Sequence, residues 1–433
     1  MKLLALFLIL AILLSGCTIV SEPVTQPSVS TESTTAATQP ASVETMPTEP
    51  AVVNYGDMKA IWLSQYDLWD VYLWEGSQRD REDFTALTAR ILDNIKALGF
   101  NTVFLQVRPN GDSVYPSDVY PASKYVTGTY GGELLYDPVE ILVTQARERE
   151  LSIHAWINPM RCMKTEELEQ ISDAYRIRRW YDDPERNGTY LVQHGSYWYL
   201  NPAYEAVRQL ILDGAAELLA AYDFDGLHMD DYFYPTTDAV FDQAAYETLG
   251  SGRTLEEFRR ENLNILVSGL YARTKASGTG KLFGISPAGN IHTVYNSQYA
   301  DVYTWCSAPG YIDYICPQVY FGLEHQTCDF VSVCNTWQSI VTEDEVGLII
   351  GMTFEKALSQ EDKYAGTGKN EWKEHQDVLK RCLEYTAQLP QCRGISVFSY
   401  QHFFNPVTGE PVAGTAPERE RFVPVLGEIT WLG

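Results

Sequence analysis

Eight short strand-like segments alternate with segments of helical length, and this alternation constrains the fold of the chain more than any other feature. The eight segments are residues 59–64, 102–108, 152–158, a strand that ends at Asp230, 282–286, 314–320, 347–353 and 394–400. Such a series within roughly 350 residues fits an enlarged (β/α)8 barrel. An open doubly wound sheet is the alternative, but it requires a glycine-rich phosphate turn after the first strand, and this sequence has none there. The sequence therefore predicts an α/β protein, a TIM barrel with long loops at its C-terminal face.

Several of these segments have one apolar face and one face that carries polar or aromatic residues. In segment 152–158, for example, Ile153, Ala155 and Ile157 alternate with His154, Trp156 and Asn158. In a barrel the apolar face packs against helices, while the other face approaches the axis and, near the strand ends, the C-terminal mouth. The inward residues predicted near the mouth are Gln106, Arg108, Trp156, Asn158, Asp230, Gln318, Tyr320 and Tyr400. Amides, aromatic rings and a carboxylate in one place suit a carbohydrate ligand.

The fourth segment ends in two adjacent acidic residues. Alternation places Asp230 inside the barrel mouth and Asp231 on its rim. Catalytic groups of TIM barrels lie at these strand ends. The alternative for such a pair is a helix N-cap or a solvated turn. We predict that both acids are catalytic.

Composition limits the partners of the chain. Its 433 residues carry a formal net charge of −25. This charge argues against nucleic acid and against an anionic membrane surface as a partner. The oligomeric state is left open by the sequence.

The N-terminus has the features of an exported lipoprotein. An apolar run at residues 3–14 follows Met1-Lys2, and it is too short to span a membrane stably. The run ends in residues 14–17 (LSGC), which resemble the bacterial lipobox. By that resemblance residues 1–16 are a lipoprotein signal peptide, and Cys17 is acylated. A plain signal peptide followed by a chance cysteine is the alternative.

Residues 17–54 are predicted to form a disordered tether. From residue 18 to 54 the chain is rich in Ser, Thr, Pro, Ala, Val and Glu and has no Lys or Arg, so it cannot bury enough apolar surface to fold. The predicted barrel then occupies residues 55–433. The predicted location is extracytoplasmic, with the lipid anchor as the one contact with the membrane.

The cysteines and histidines leave further alternatives. The seven cysteines other than Cys17 contain no C-x-x-C pair, and most are predicted to be buried thiols. Disulfides between Cys328 and Cys334 or Cys382 and Cys392 stay open. His154 and His228 could hold zinc together with the two acids, as in a metal-dependent deacetylase. We favour the reading that both histidines belong to the barrel core, so no metal or other cofactor is predicted.

An ordered series of motifs resembles a known family. The motifs are residues 107–112 (VRPNGD), 115–117 (YPS), 136–138 (YDP), 154–159 (HAWINP), 201–202 (NP), 225–235 (DGLHMDDYFYP) and 317–320 (PQVY). Together they are similar to the bacterial glycosyl hydrolase-like family ten over about residues 55–426. The resemblance implies a (β/α)8 barrel and, for characterised relatives, cleavage of peptidoglycan glycan strands that have lost their stem peptides.

The resemblance also implies roles for particular residues. Asp230 and Asp231 correspond to the family's acids after the fourth strand, and Asp112 corresponds to an acid after the second. Arg108, Asn158 and Gln318 correspond to polar groups that line the cleft. The segment around Asp230 is also faintly similar to that of chitinase-type barrels, but Tyr232 stands where those enzymes carry a catalytic glutamate.

Glycoside hydrolysis usually needs two carboxyl groups that flank the scissile bond. We predict that Asp230 and Asp231 supply them, with Asp112 as the next candidate and Glu355 and Glu324 after it. Asp231 has a structural alternative, in which it orients Arg108 or caps the following turn.

The predicted substrate-binding residues are Gln106, Arg108, Trp156, Asn158, Tyr232, Asn290, Gln318 and Tyr320. The predicted function is a surface-anchored glycoside hydrolase that acts on a cell-wall polysaccharide. The alternative is a non-catalytic lipoprotein that binds glycan in the same cleft.

Overall fold

The computed structural model of the chain describes residues 52–230 and 232–431. Eight parallel strands in them close into a barrel in which each strand pairs with its neighbours in sequence and the last pairs with the first. The strands are β1 (Met58–Leu63), β2 (Thr102–Arg108), β3 (Ser152–Ile157), β4 (Gly226–Met229), β5 (Leu282–Ile285), β6 (Tyr314–Ile315), β7 (Gly347–Thr353) and β8 (Cys392–Phe398). The predicted TIM barrel is confirmed.

Helices surround the barrel and extend into its loops. The α-helices are Gln65–Tyr72, Arg81–Ala97, Lys124–Thr127, Pro138–Glu148, Thr165–Leu168, Arg176–Asp182, Glu205–Ala221, Gln243–Leu249, Leu255–Ala276, Ile291–Asn296, Val302–Trp305, Phe330–Ile340, Glu355–Ser359, Glu371–Glu374, Val378–Thr386 and Ala416–Glu428. Short 3-10 helices are Ala239–Phe241, Gly366–Gly368, Tyr400–His402 and Ala413–Thr415. Two antiparallel hairpins pair Leu73–Trp74 with Ser77–Gln78, and Leu191–His194 with Tyr197–Leu200.

Two predicted elements differ from the observed ones. The sequence predicts a sixth strand over residues 314–320, but the strand spans only Tyr314–Ile315, because Pro317 has no N–H to donate to a ladder. Beyond it Gln318 makes single bridges to residues 288 and 351. The sequence also predicts one helix around residues 371–389, but the structure has two, Glu371–Glu374 and Val378–Thr386. The second begins where the Glu418 carboxylate accepts hydrogen bonds from the backbone N–H groups of Val378 and Leu379. That cap comes from a distant part of the chain.

The strands sort their side chains between two layers, as predicted. Val103, Leu105 and Ile153 belong to the large apolar core between the strands and the helices. Inside the barrel a smaller cluster includes Trp62 and Phe104. The two layers fix which side chains can reach the mouth.

The two histidines predicted to be core residues lie inside the barrel and are fully buried. His154 Nδ1 and His228 Nδ1 each lie 3.0 Å from the Tyr314 hydroxyl oxygen. Their second ring nitrogens are also engaged, with Asn54 at 3.0 Å for His154 and with the Trp62 indole N–H at 3.3 Å for His228. Both ring nitrogens of each histidine have protein partners, so we assign the two histidines a structural role in the barrel core. Residues 52–230 and 232–431 contain no cluster of three or more His, Cys, Asp or Glu side chains suited to a metal ion.

Because His154 is buried, it should destabilise the folded protein in acid. Burial lowers the pKa of His154 to about 3, below its unfolded value of 6.5. Between these two values the unfolded chain binds a proton that the folded protein does not bind. His154 should therefore contribute a fall in the free energy of unfolding of up to about 1.4 kcal/mol for each pH unit between 6.5 and about 3. Urea titrations between neutral pH and mild acid measure this slope.

The slope should be shallower in His154→Gln, which cannot take up the proton. The control is His194→Gln, which removes an exposed histidine from a hairpin. An acid slope in His154→Gln equal to that of the wild type would contradict this assignment.

The N-terminal floor of the barrel includes residues assigned by sequence to the tether. The backbone N–H of Val53 donates to Asp225 Oδ1 at 2.6 Å, and the Asn54 side chain donates to the carbonyl oxygens of residues 225 and 280. These two residues therefore belong to the folded part, although the predicted boundary is residue 55. The predicted signal peptide, Cys17 and the tether up to residue 51 lie outside the described residues.

The described residues also answer two questions left by the sequence, namely membrane-spanning helices and disulfides. In the part of the chain that the structure describes, no helix has both the length and the apolar character needed to cross a membrane. The seven described cysteines are free thiols, so neither pair considered above forms a disulfide here.

A buried ion pair holds the loop that follows β4. Arg259, on helix Leu255–Ala276, contacts Asp242 Oδ1 at 2.6 Å, and both side chains are completely buried. The Arg259 guanidinium also donates to the backbone oxygens of Thr236 at 3.1 Å and Asp238 at 2.7 Å. Three points of the loop beyond Asp230 are thereby tied to one helix.

Candidate active site

A cleft opens at the C-terminal mouth of the barrel, where the inward side chains reach the surface. Its cavity volume is about 230 Å³. The lining residues are Trp62, Ser64, Gln65, Tyr66, Gln106, Pro109, Trp156, Asn158, Arg161, Asp230, Tyr232, Gln318, Tyr320 and Phe398. They come from the ends of β1, β2, β3, β4 and β8 and from the segment after β6, as expected for an active site of this fold.

Asp230 is held by a row of amides that crosses three neighbouring strands. The backbone N–H of Gln65 donates to Gln106 Oε1 at 2.8 Å, and Gln106 Nε2 donates to Asn158 Oδ1 at 2.8 Å. Asn158 Nδ2 then donates to Asp230 Oδ2 at 2.5 Å. Each of the three side chains is at least nine-tenths buried, so this row fixes the orientation of the Asp230 carboxyl group.

Aromatic rings form much of the cleft wall. The Trp62 ring meets the rings of Tyr320 and Phe398 edge-on, with centroids 6.4 and 6.1 Å apart. Trp156 lines the cleft as well, and its indole Nε1 is buried without a hydrogen-bond partner among the described protein atoms. Apolar ring surface beside a few fixed polar groups is the usual composition of a small-ligand site.

Arg161 is a cleft residue that the sequence analysis missed. Its guanidinium lies over the rings of Tyr197 and Tyr232, at 4.4 and 4.7 Å from their centroids. Tyr197 belongs to the hairpin of the long loop after β3, so the stacking depends on how that loop folds back. The nearest sequence signal is the position of Arg161 just after the third strand. The arrangement places a fixed positive charge in the same cleft as Asp230.

Most of the predicted site residues meet in this cleft. The structure brings together Gln106, Trp156, Asn158, Asp230, Tyr232, Gln318 and Tyr320. The cleft also contains Trp62 and Ser64, at the end of β1, and the same two-residue alternation could have identified both. The other lining residues that were not predicted are Gln65, Tyr66, Pro109, Arg161 and Phe398. Asp231 lies outside the described residues. Among the described lining residues, Asp230 is the one carboxylate.

Arg108 does not line the cleft, because the β2–β3 ladder shifts register after Gln106. Gln106 pairs with Trp156, but Arg108 pairs with Ile157, so β2 carries one extra residue at Val107. An extra residue of this kind turns the next side chain to the other face of the sheet. The Arg108 guanidinium is buried over the Tyr120 ring, 4.6 Å from its centroid, on the helix side.

Asp112 and Asn290 also lie away from the cleft lining. Asp112 is fully buried and accepts a hydrogen bond from the backbone N–H of Asn110 at 2.7 Å. Burial raises the pKa of Asp112 to about 6, although hydrogen bonds oppose the shift. Asn290 is the N-cap of helix Ile291–Asn296 and accepts from the backbone N–H groups of His292 and Thr293.

The remaining candidates lie elsewhere. Glu355 and Glu324 are exposed and do not line the cleft, and Glu324 lies 3.5 Å from His375 Nε2. Tyr400, predicted to face inward, follows the end of β8 and accepts a hydrogen bond from Asn94 at 2.9 Å, on the helix side of the barrel. The prediction for Tyr400 is wrong, because β8 ends at Phe398 and the alternation stops there.

Asp112→Asn is expected to lower turnover by no more than about tenfold, because a fully buried group outside the cleft does not touch substrate. Its stability effect has a defined sign. With a folded pKa of about 6 and an unfolded value of 3.8, wild-type Asp112 makes the protein less stable as pH rises between the two. As pH rises from 3.8 to 6, the free energy of unfolding of Asp112→Asn should therefore increase by up to about 3 kcal/mol relative to that of the wild type. Kinetics and urea titrations on the pair measure both effects, and a loss of turnover equal to that of Asp230→Asn would establish Asp112 as catalytic.

Comparison with known proteins shows the family to which this chain belongs. The family model for Glycosyl hydrolase-like 10 matches residues 57–365. Glycosyl hydrolase YngK of Bacillus subtilis is 30% identical over 331 residues, which cover 72% of this chain and 62% of YngK, so the chain spans less than two thirds of that relative. Glycosyl hydrolase DigH of Escherichia coli is 27% identical over 414 residues, covering 87% of this chain and 92% of DigH.

Among solved structures, the glycoside hydrolase domain of PgaB (BpsB) from Bordetella bronchiseptica has a TM-score of 0.53 and 13% identity, and the match covers 84% of this chain and 98% of that domain. At this identity the likeness concerns the fold alone. The family resemblance is confirmed by the family model, and the predicted class of glycoside hydrolase is confirmed by the names of the relatives.

Proposed function

Because this chain belongs to the glycosyl hydrolase-like 10 family, we propose that it hydrolyses glycan strands of the cell wall, namely peptidoglycan strands that have lost their stem peptides. We propose further that it does so outside the cytoplasm, anchored to the membrane by acylated Cys17. The substrate follows from the family resemblance of the motifs, and the location follows from the lipobox-like residues 14–17.

The observation that carries the proposed chemistry is the oriented carboxyl group of Asp230 in an aromatic-walled cleft. Glycoside hydrolysis uses one carboxyl group to protonate the leaving oxygen and a second as nucleophile or base. We assign these tasks to Asp230 and its neighbour Asp231. Asn158 Nδ2 donates to Asp230 Oδ2, and the backbone N–H of Tyr232 donates to Oδ1 at 3.3 Å, so each carboxyl oxygen has a hydrogen-bond donor that orients the group.

The rest of the cleft suits a sugar chain. The half-buried rings of Tyr320 and Phe398 offer apolar surface of the kind that packs on a pyranose ring face. The half-buried Gln318 offers an amide group to the cleft, so sugar hydroxyl and acetamido groups have a hydrogen-bond partner.

Incubation of the purified protein with peptidoglycan, with and without prior amidase treatment, tests the proposal. Mass spectrometry of released sugars and muropeptides should show products from amidase-treated strands, and Asp230→Asn should release none. Products from untreated peptidoglycan alone would contradict the proposal that peptide-free strands are the substrate. Products released by Asp230→Asn would contradict the catalytic role of Asp230.

The same experiment decides the alternative of a non-catalytic glycan-binding lipoprotein. One observation favours that alternative, namely that Asp230 is the one carboxylate among the described lining residues. Retention of the protein on purified glycan in a pull-down, without any released product, would establish binding as its function.

The anchor has its own test. Labelling with palmitate should modify the wild type and not Cys17→Ser, and globomycin should block processing of the wild type. A wild-type protein that is processed without lipid would overturn the anchor but not the hydrolase.

A further inference from the structure

A second pocket adjoins the central cleft on the side of β8 and β1. We call it the β8–β1 pocket. Its volume is about 570 Å³, and it is lined by Tyr66, Asp67, Asp70, Leu73, Trp74, Glu75, Arg79, Gln401, Asn405, Pro406, Val407, Thr408 and Val412. These residues belong to the segments that follow β1 and β8. Tyr66 lines both this pocket and the central cleft, so the two share a wall.

A third pocket adjoins the cleft on the side of β4 and β5. We call it the β4–β5 pocket. Its volume is about 530 Å³, and it is lined by Tyr199, Tyr232, Phe233, Tyr234, Pro235, Thr236, Thr237, Ser297 and Gln298. Apart from Tyr199, these residues follow β4 and β5. Here the shared residue is Tyr232.

The barrel topology places these two pockets opposite each other. In the closed ring, the junction of β8 with β1 and the junction of β4 with β5 are four strands apart, which is half of the circumference. Both pockets lie beyond the C-terminal ends of the strands, because their residues follow the strands in sequence. The central cleft, with Asp230, lies between them and touches each through one tyrosine. The three form a line across the barrel mouth.

Aromatic surface is exposed on both sides of the central cleft along this line. Trp74 is 59% exposed and Tyr66 is 56% exposed, whereas most aromatic rings in the described barrel are buried. The Arg79 guanidinium lies 5.1 Å from the Trp74 ring centroid and supports that ring from one side. On the other side Tyr232, with 39% exposure, is held by Arg161 in the same way. Two exposed rings, each supported by an arginine, therefore lie on opposite sides of the central cleft.

From this geometry we infer that the substrate site is an open groove with binding subsites on both sides of Asp230, so that the protein cleaves bonds inside a glycan strand. The inference rests on the proposed function and deepens it by naming the position of the bond. An enzyme that removes units from a strand end needs a wall beyond the cleaved unit. Here each end of the cleft continues into a larger pocket, and each of these volumes lies in the range of about 300–1,000 Å³ that ligand sites occupy.

The early products of wild-type digestion test the position of the cleaved bond. Full-length protein in detergent is incubated with amidase-treated glycan strands of defined length, and the first products are separated by size. Cleavage within strands gives a broad range of intermediate lengths before short products accumulate. A single short product from the start, with the remaining strand shortened step by step, would overturn the inference.

Two variants test the two outer pockets separately. Trp74→Ala removes the exposed ring of the β8–β1 pocket, and Thr237→Trp fills the β4–β5 pocket from an exposed position. Trp74→Ala should lower the ratio of kcat/KM on long strands to kcat/KM on short oligosaccharides by about fivefold, the factor that one aromatic contact supplies. Thr237→Trp should lower the same ratio because its ring occupies the space of a sugar unit in the β4–β5 pocket. The matched control is Trp69→Ala, the same change at a 41% exposed tryptophan that lines neither pocket. An unchanged ratio in both test variants, or an equal fall in the control, would overturn the groove.

Binding separates failure of this inference from failure of the proposed function. If no glycan is cleaved, the proposed hydrolysis fails, and the groove is judged by the affinity of the protein for strands of increasing length. Affinity that rises with length in the wild type and rises less in Trp74→Ala supports the groove. Affinity that does not depend on length overturns it.

Discussion

Asp230→Asn should lower kcat on glycan strands by about a thousandfold or more, while the affinity for glycan stays within about threefold of the wild type. An asparagine has nearly the shape of an aspartate and keeps an oxygen that can accept from Asn158 Nδ2. The row of amides and the cleft wall should therefore persist. What is lost is the carboxyl group itself, which neither donates nor accepts a proton in the amide form. The substitution thus separates chemistry from binding.

Measured kcat on amidase-treated strands, together with glycan affinity from calorimetry, checks this expectation. Asp118→Asn is the matched control, because it makes the same change at an exposed carboxyl group outside the cleft. It should leave kcat unaltered. Turnover by Asp230→Asn within tenfold of the wild type would move the central role to another carboxyl group.

Arg259→Met should lower the free energy of unfolding by about 3–5 kcal/mol, because it leaves Asp242 as a buried carboxylate without its partner. Both side chains of the pair are completely buried. Arg259 also lies between the rings of Tyr234 and Tyr299, with centroids at 5.2 and 4.8 Å. Its loss also frees two backbone oxygens in the loop beyond Asp230, so turnover should fall together with stability.

Urea denaturation of Arg259→Met and of the double variant Arg259→Met/Asp242→Asn measures the two contributions. The double variant should recover part of the loss, since no buried charge remains unpaired. Lys380→Met is the control, because it breaks a pair with Glu384 that is exposed on a helix and should cost less than about 1 kcal/mol. A loss in Arg259→Met as small as in this control would show that the pair is not a main support of the loop.

The sequence predicted those parts of the fold and site that depend on local periodicity. Alternation along β2 and β3 identified Gln106, Trp156 and Asn158 as inward, because side chains on a regular strand point to alternate faces. Where the strand is irregular the same rule fails. One extra residue in β2 turns Arg108 to the helix layer, and the early end of β8 removes Tyr400 from the cleft.

Other features depend on contacts between distant segments and carry no local signal. The stacking of Arg161 between Tyr197 and Tyr232 requires a hairpin that folds back over the mouth. The cap supplied by Glu418 to helix Val378–Thr386 joins segments about forty positions apart. Asn290 differs from these, because its role is local: it caps the helix that begins at the next residue and does not line the cleft.

The row of amides that ends at Asp230 has a direction, and that direction limits where a proton can reside. It starts at the backbone N–H of Gln65, which can only donate, so Gln106 Oε1 must accept and Gln106 Nε2 must face Asn158. By the same logic Asn158 can present only its N–H group to Asp230 Oδ2. Oδ2 therefore accepts a hydrogen bond of 2.5 Å, whereas the bond that Oδ1 accepts from the Tyr232 N–H is longer, at 3.3 Å. A proton carried by Asp230 is therefore favoured on Oδ1, the oxygen with the longer of these two bonds.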